Sequence, residues 1–370
     1  MQKRQFGNTG LSTSLLGFGG FHLLEIPQRE AEQLLNRYLD AGGNYIETAA
    51  SYGDGESELK IGKSVYHRRD EFVLVTKTAE RGAQGCMDQL DRSLSYLNTD
   101  HVDVLLMHAV GTMDELNRIL GPGGALEAAE QAVKAGKARH IGLSMHGQPD
   151  VLVAALKAYG FAAVMSTINY YDRFNFPEIE GELLPLAQEK GAAVILMKPL
   201  ADGLLWRSPE QAFRWAMSQP VSVVVAGMNS RAMLEKDLAL AEGFTAMTEA
   251  EKEAVYRDAV ELGSYVCRQC GKCLPCPEGI DIPLLCKLEG YYDRQMADGT
   301  ADNAAEYALR ERLRFWFGNR DLALARYQEA AVKADRCTAC GQCSPRCPYG
   351  IDIARKLSII DYKLGGRKVL

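Results

Sequence analysis

The chain has 370 residues, of which 47% are hydrophobic and 24% charged, and a formal net charge of −6 at pH 7. That length is a prior for two or three domains, and that composition excludes an intrinsically disordered chain. The acidic balance, with no long basic run, argues against a nucleic-acid partner, and no apolar stretch reaches the roughly 20 residues that span a bilayer.

The opening MQKRQFGNTGLSTSLLGFGG has no continuous apolar segment of the secretory type, so a cytoplasmic location is expected. Its turn signal, Gly7-Asn8-Thr9-Gly10, separates two short runs and predicts a β-hairpin placed to plug the bottom of whatever follows. Short runs rich in Val, Ile, Leu and Met then alternate with helical patterns. The predicted strands are Leu15–Gly19, Asn44–Thr48, Phe72–Thr76, Val102–Met107, His140–Leu143, Ala163–Ile168, Ala193–Met197 and Val221–Ala226. Such continuous apolar runs suit parallel strands buried on both faces. Helical periodicity marks Arg29–Ala41 and Met87–Leu97, and glycine closes others at Gly136 and Gly191. Strands each followed by a helix predict an α/β fold, a (β/α)8 TIM barrel. The rival is a doubly wound open sheet, for which Gly17-Phe18-Gly19-Gly20 is a poor phosphate loop.

Near residue 245 the character changes. Glu249–Leu262 reads as an acidic helix, and a helical stretch from Pro283 to Ala334 separates two cysteine runs. The division is drawn at 1–262 for the barrel and 263–370 for a C-terminal all-α domain. Nine of the ten cysteines lie between Cys267 and Cys347. In a reducing compartment such clustering reads as metal ligation. The second run, Cys337, Cys340, Cys343 and Cys347, has the C-x2-C-x2-C-x3-C-P spacing of bacterial ferredoxins. The first, Cys267, Cys270, Cys273 and Cys276, is one residue shorter before its last cysteine. The runs share CP, Gly, Ile, Asp and Ile in order, as duplicated units do. Zinc is the competing metal, but its sites seldom use three cysteines at this spacing followed by C-P. Two 4Fe-4S clusters are therefore expected. In two-cluster ferredoxins the fourth cysteine of each run ligates the other cluster. That rule predicts one set of Cys267, Cys270, Cys273 and Cys347 and another of Cys337, Cys340, Cys343 and Cys276, with Cys86 and Cys286 as buried thiols. With the long helical stretch between them, the runs resemble the α-helical ferredoxin domains of respiratory iron–sulfur subunits.

Four predicted strands end in polar residues: Glu47 with Tyr52 just beyond, Lys77, His108, and Ser144 with His146. In a barrel, functional side chains sit at these ends. A Tyr, a Lys, a His and a carboxylate gathered there make a proton donor for a carbonyl, the ammonium being expected to lower the tyrosine pKa. The stretches GGNYIETAASYGDGESELKIGK, LVTKT, LLMHAV, GLSMHG, INYYD, ILMKPLADG and VAGMNSRAMLEKDLA resemble the aldo/keto reductase family over about residues 1–245, in the branch with a C-terminal iron–sulfur domain. The resemblance implies Tyr52 as proton donor, Lys77 tuning it, His108 orienting the carbonyl, and Glu47 standing where the family has Asp. It also implies NADP or NAD as hydride carrier. Ser144 and Asn169 would hold the carboxamide, Met197 would lie at the ring, and Gly227, Met228, Asn229 and Arg231 would lie toward the adenosine end. His22, His146, Tyr170 and Trp206 are expected at the substrate.

The leading functional reading is an enzyme that interconverts a small carbonyl compound and its alcohol, its clusters exchanging electrons with a ferredoxin-like partner. A second is cluster-driven one-electron reduction or dehydration of a polyol-like substrate without nicotinamide. A third is a non-catalytic electron carrier or redox sensor. The iron–sulfur domain is expected over the barrel's C-terminal face.

Overall fold

The computed structural model describes residues 1–146, 148–296 and 319–366. Strands β1 (Lys3–Gln5) and β2 (Ser12–Ser14) form the expected antiparallel hairpin. Eight parallel strands then close a barrel: β3 (Leu16–Gly19), β4 (Tyr45–Glu47), β5 (Val73–Thr78), β6 (Val102–Met107), β7 (Ala138–Met145), β8 (Ala163–Thr167), β9 (Ala193–Met197) and β10 (Val223–Gly227). Because β10 pairs with both β9 and β3, there is no open edge, and the doubly wound alternative falls. Every predicted strand is present, with ends shifted by at most a few residues.

Helices α1 (Gln28–Asp40), α2 (Glu56–Val65), α3 (Ala83–Leu97), α4 (Met113–Leu120), α5 (Ala125–Lys134), α6 (Pro149–Ala158), α7 (Leu184–Lys190), α8 (Pro209–Met217) and α9 (Arg231–Glu242) return the chain between strands. Gly191 closes α7 at a φ of 67°, a left-handed value that glycine adopts without strain. The barrel interior is a separate apolar core containing Tyr45, Val75, Leu106, Met165 and Ile195. Phe6, from the hairpin turn, is fully buried in that core, its ring centroid 5.9 Å from that of Tyr45. The hairpin is thus a plug that shuts the end opposite the C-terminal strand ends.

Helix α10 (Glu249–Asp258) starts with a capping box between Thr248 and Glu251. Beyond it lie α11 (Ile282–Asp293), α12 (Arg320–Glu329) and α13 (Ile353–Leu364). The predicted helical stretch 283–334 is observed at its two ends, and residues 297–318 lie outside the described residues. This domain rests on loops at the C-terminal face of the barrel. Tyr291 stacks on Phe176 at 4.9 Å, Lys287 pairs with Glu178 at 2.8 Å, and Arg326 pairs with Asp150. Those barrel residues all follow β7 or β8, so the iron–sulfur domain covers the predicted face.

Phe6→Ala should lower stability by about 3–5 kcal/mol, the range for a buried aromatic truncated without collapse of its site. Thermal or urea unfolding of the barrel measures it.

Candidate active site and cluster pockets

Parallel register brings Glu47, the last residue of β4, level with Val75 of β5. Lys77, two residues further along β5, is 1% exposed. Its ammonium donates to the Glu47 carboxylate, to the Thr48 carbonyl at 2.8 Å and to the Tyr52 hydroxyl oxygen at 3.1 Å. Three donors meet three acceptors, so the buried charge is fully bonded. The Tyr52 oxygen receives the ammonium's hydrogen, which leaves the phenol's own proton for another acceptor. The His108 ring sits edge-on to Tyr52, centroids 5.8 Å apart, with Nδ1 3.1 Å from Ser51 Oγ. Phe21 covers Tyr52 from another side at 5.1 Å. The four residues of the expected tetrad are therefore brought together.

Electrostatics corrects one expectation. Burial, followed by the Glu47 carboxylate, raises the Tyr52 pKa above its ordinary value, and the nearby Lys77 only partly opposes them. Tyr52 is a retained phenol, not a near-tyrosinate. Burial alone would lower Lys77, but the Glu47 carboxylate and Tyr52 outweigh it and hold the ammonium protonated. Burial, then Lys77 and Arg81, pushes His108 down to about 3, so its imidazole is neutral.

Tyr52 and Glu47 form one wall of a cavity of about 420 Å³ at the C-terminal ends of the strands. His22, His146, Met197, Gly227 and Asn229 line it as well. His22 lies directly against Gly227, where a Cβ would come within 2.0 Å of the imidazole. Burial first, and Lys198 next, holds His146 well below the usual histidine range.

Other expected residues lie elsewhere. Asn169 spends its amide inside the chain: Oδ1 accepts from the backbone of Tyr171 and Asp172, and Nδ2 donates to Asp172 and to the Lys198 carbonyl. All its hydrogen-bonding capacity is used, so it is not free to hold a carboxamide. Ser144 Oγ accepts from the Ala109 amide at 3.0 Å and faces the Met107 carbonyl, again bracing backbone. Tyr170 is a core residue, fully buried, with its hydroxyl on Glu261 and its ring against Trp215. Met228 is buried outside the cavity lining, and Arg231 pairs with Glu235 on the surface of α9. Trp206 carries the Arg207 guanidinium on its ring and is not part of the cavity wall.

Among the cavity residues that the sequence did not point to are Lys198, Asp202 and Asp237. Lys198 and Asp202 pair at 2.8 Å in the loop after β9. Burial raises Asp237, on α9, to about 7. The signal for the first two was present in ILMKPLADG, where two charges interrupt an apolar strand end.

In the C-terminal domain the thiols gather in two groups. Cys267, Cys270, Cys273 and Cys347 ring one pocket; Cys276, Cys337, Cys340 and Cys343 ring the other. The shorter first run thus sends its fourth cysteine across to the second pocket, as the crossed rule requires. Left-handed residues occur at matching places in the two loops, Gln269 and Gly271 in one and Ala339 and Gly341 in the other. Among the described residues no three His, Cys, Asp or Glu side chains close on a point as a single ion demands. Quartets spread around a pocket fit a cubane. Cys286, expected to be a buried thiol, is one, and it lies on the wall of the first pocket.

Comparison with known proteins agrees with this geometry. Residues 15–212 match the aldo/keto reductase family, and residues 266–352 match a 4Fe-4S dicluster domain. An uncharacterized oxidoreductase of Bacillus subtilis, YqkF, is 28% identical over 231 residues, covering 59% of this chain and 71% of that protein. L-galactose dehydrogenase of Arabidopsis thaliana is 28% identical over 221 residues, covering 55% and 67%. Among solved structures, the holo form of aldo-keto reductase AKR11C1 from Bacillus halodurans superposes with a TM-score of 0.61 at 26% identity, covering 69% of this chain and 95% of that one. With its closed parallel barrel and a match spanning more than half its length, the chain belongs to the aldo/keto reductase family and joins that barrel to an iron–sulfur domain.

Proposed function

We propose that this oxidoreductase interconverts a small carbonyl compound and its alcohol in the barrel, and that its clusters exchange electrons with a ferredoxin-like partner. The observation that carries the reading is the Glu47–Lys77–Tyr52 chain, which leaves a protonated phenol on the cavity wall. In the reductive direction Tyr52 gives its proton to the substrate oxygen, and Lys77 stabilises the phenolate left behind. Glu47 keeps Lys77 charged. His108, neutral and packed on the Tyr52 ring, orients the oxygen. His22, His146, Lys198 and Asp202 add polar groups to the cavity wall, which favours a substrate with hydroxyls beyond the reacting one.

The extent of the cavity, from Tyr52 to Gly227, Asn229 and Lys236, fits an extended ligand. NADP or NAD is the corresponding hydride carrier, supplying two electrons to the carbonyl carbon when bound. The ligand sets are the two crossed quartets, and the domain division lies at 262/263. Exposure of Cys270 and Cys340 places an edge of each cluster site toward solvent, which suits transfer to a partner protein. Thiolate ligands and labile clusters suit the reducing cytoplasm. The saturation of Asn169 favours a second reading, in which the clusters alone deliver single electrons and no nicotinamide enters.

Anaerobic titration of the holoprotein with NADPH and NADH, followed by cluster absorbance and EPR, separates the two. Cluster reduction by either nucleotide supports the first reading. Absence of nucleotide binding in protein that dithionite reduces supports the second. Tyr52→Phe should lower kcat by about 10²–10⁴-fold, the span of general acid catalysis, with the clusters intact. A wild-type-minus-Tyr52→Phe ultraviolet difference titration should show no phenolate from Tyr52 below about pH 10, the ordinary tyrosine value, because the folded pKa lies above it. Cys347→Ser should perturb the EPR signal of the cluster held by the first run, although Cys347 lies in the second. A change confined to the other signal would sink the crossed assignment.

A further inference from the structure

Arg294 and Gln295 are consecutive, wholly buried, and both at positive φ, 66° and 55°. Residues with a Cβ occupy that region only where their surroundings impose it, and such strain gathers at functional elements. Here each residue is bonded in a different direction. The Gln295 side chain accepts the backbone N–H of Cys267, the first thiol of the first cluster pocket, at 2.8 Å and donates to Asn175 at 2.9 Å. The Arg294 guanidinium reaches the barrel, donating to the Ala201 carbonyl at 3.1 Å, to Asp172 at 3.1 Å and to Asp202 at 2.8 Å.

The loop it grips is itself strained. Lys198, Ala201 and Asp202 lie at φ of 59°, 50° and 55°. Lys198 and Asp202 are also the charged pair on the cavity wall. A continuous bonded path of five left-handed non-glycine residues therefore runs from a cluster-pocket amide to the surface that meets the substrate. Without Arg294, two buried carboxylates would face the single ammonium of Lys198, and the Ala201 carbonyl would lose its side-chain donor.

We propose that the Arg294–Gln295 pair couples the redox state of the first cluster to the shape of the substrate cavity, with Arg294 as the positioning residue for Lys198 and Asp202. The physical cause lies at Cys267. Reduction adds one electron, and so one negative charge, to the cluster. Backbone N–H groups beside iron–sulfur centres bond to the sulfurs, and those bonds strengthen with that charge. The Cys267 N–H is then drawn away from Gln295, and the strained pair and the loop beyond it relax. By reciprocity, whatever fixes the loop alters the potential of the cluster. The inference rests on the cavity being the substrate site and is indifferent to the reaction run there.

The test is hydrogen exchange on anaerobic holoprotein, oxidised and dithionite-reduced, read on peptides covering residues 198–206. In the wild type, reduction should change exchange of this loop about tenfold, equivalent to about 1.4 kcal/mol of local opening. Strands β4 to β6 should not respond. In Arg294→Met the loop should exchange fast in both states. In Gln295→Ala, which leaves the Arg294 ion pairs in place and keeps the test open if Arg294→Met misfolds, the Cys267 N–H has no glutamine to release, so the loop should exchange in both states at the rate of the reduced wild type, and the first cluster's midpoint potential should shift. A wild-type loop indifferent to reduction, or a redox response that survives in Gln295→Ala, overturns the proposal. Loss of turnover in Tyr52→Phe with the redox response retained would bear on the chemistry alone.

Discussion

The buried ammonium of Lys77 is the constraint around which the candidate active site is arranged. An isolated ammonium removed from water costs several kcal/mol, and breaking a buried ion pair by deleting one partner costs about 3–5 kcal/mol. Lys77 avoids that cost because Glu47, the Thr48 carbonyl and Tyr52 all lie within its reach. Those three groups belong to the end of β4 and the loop after it, so satisfying one charge fixes the course of that loop. The same bonds decide protonation. Glu47 keeps the ammonium charged, and the carboxylate and burial together keep the phenol protonated despite the cation beside it. Stability and the protonation of the Tyr52 phenol therefore share one interaction.

A second buried charge group joins the domains and follows the same logic. Asp172 and Asp202 balance Arg294 and Lys198, two negative charges against two positive. Only Arg294 comes from the iron–sulfur domain, so the barrel's own share is one charge out of balance until that domain is seated. Replacing such a group by apolar residues is often neutral for stability. Its geometric effect is more specific: it holds residues in a region of backbone space they otherwise avoid.

Much of this was legible in the sequence because the signals were local or periodic. Buried parallel strands are short apolar runs, and all eight were readable. The crossing of cysteines between pockets follows from spacing, and Cys276 and Cys347 each reach the opposite group. What was not legible depends on three-dimensional neighbours. Asn169 occupies a suggestive position, but its amide is consumed by a turn whose partners include the Lys198 carbonyl, 29 residues away. Tyr170 follows a strand, as a substrate residue would, yet its partner Glu261 lies 91 residues on. The direction of the Tyr52 shift follows from burial, which the sequence does not display beside the ammonium that it does. Arg294 carries no motif, and its role exists only once the two domains meet.

The short first cysteine run illustrates how the two halves of the repeat depend on each other. It lacks one residue between its third and fourth thiols, where the second run carries Arg346. That extra residue is not idle. Its guanidinium donates to the carbonyls of Leu274 and Pro275, the two residues that form the shorter link. The longer loop thus braces the shorter one at the point where the chain must cross to the other pocket. Neither half of the repeat is complete alone, since each pocket takes one thiol from the other run. The consequence reaches the barrel. A carbonyl and its alcohol differ by two electrons, and each cluster passes one electron at a time. For the proposed carbonyl–alcohol reaction, two interlocked cluster sites on one chain match that count.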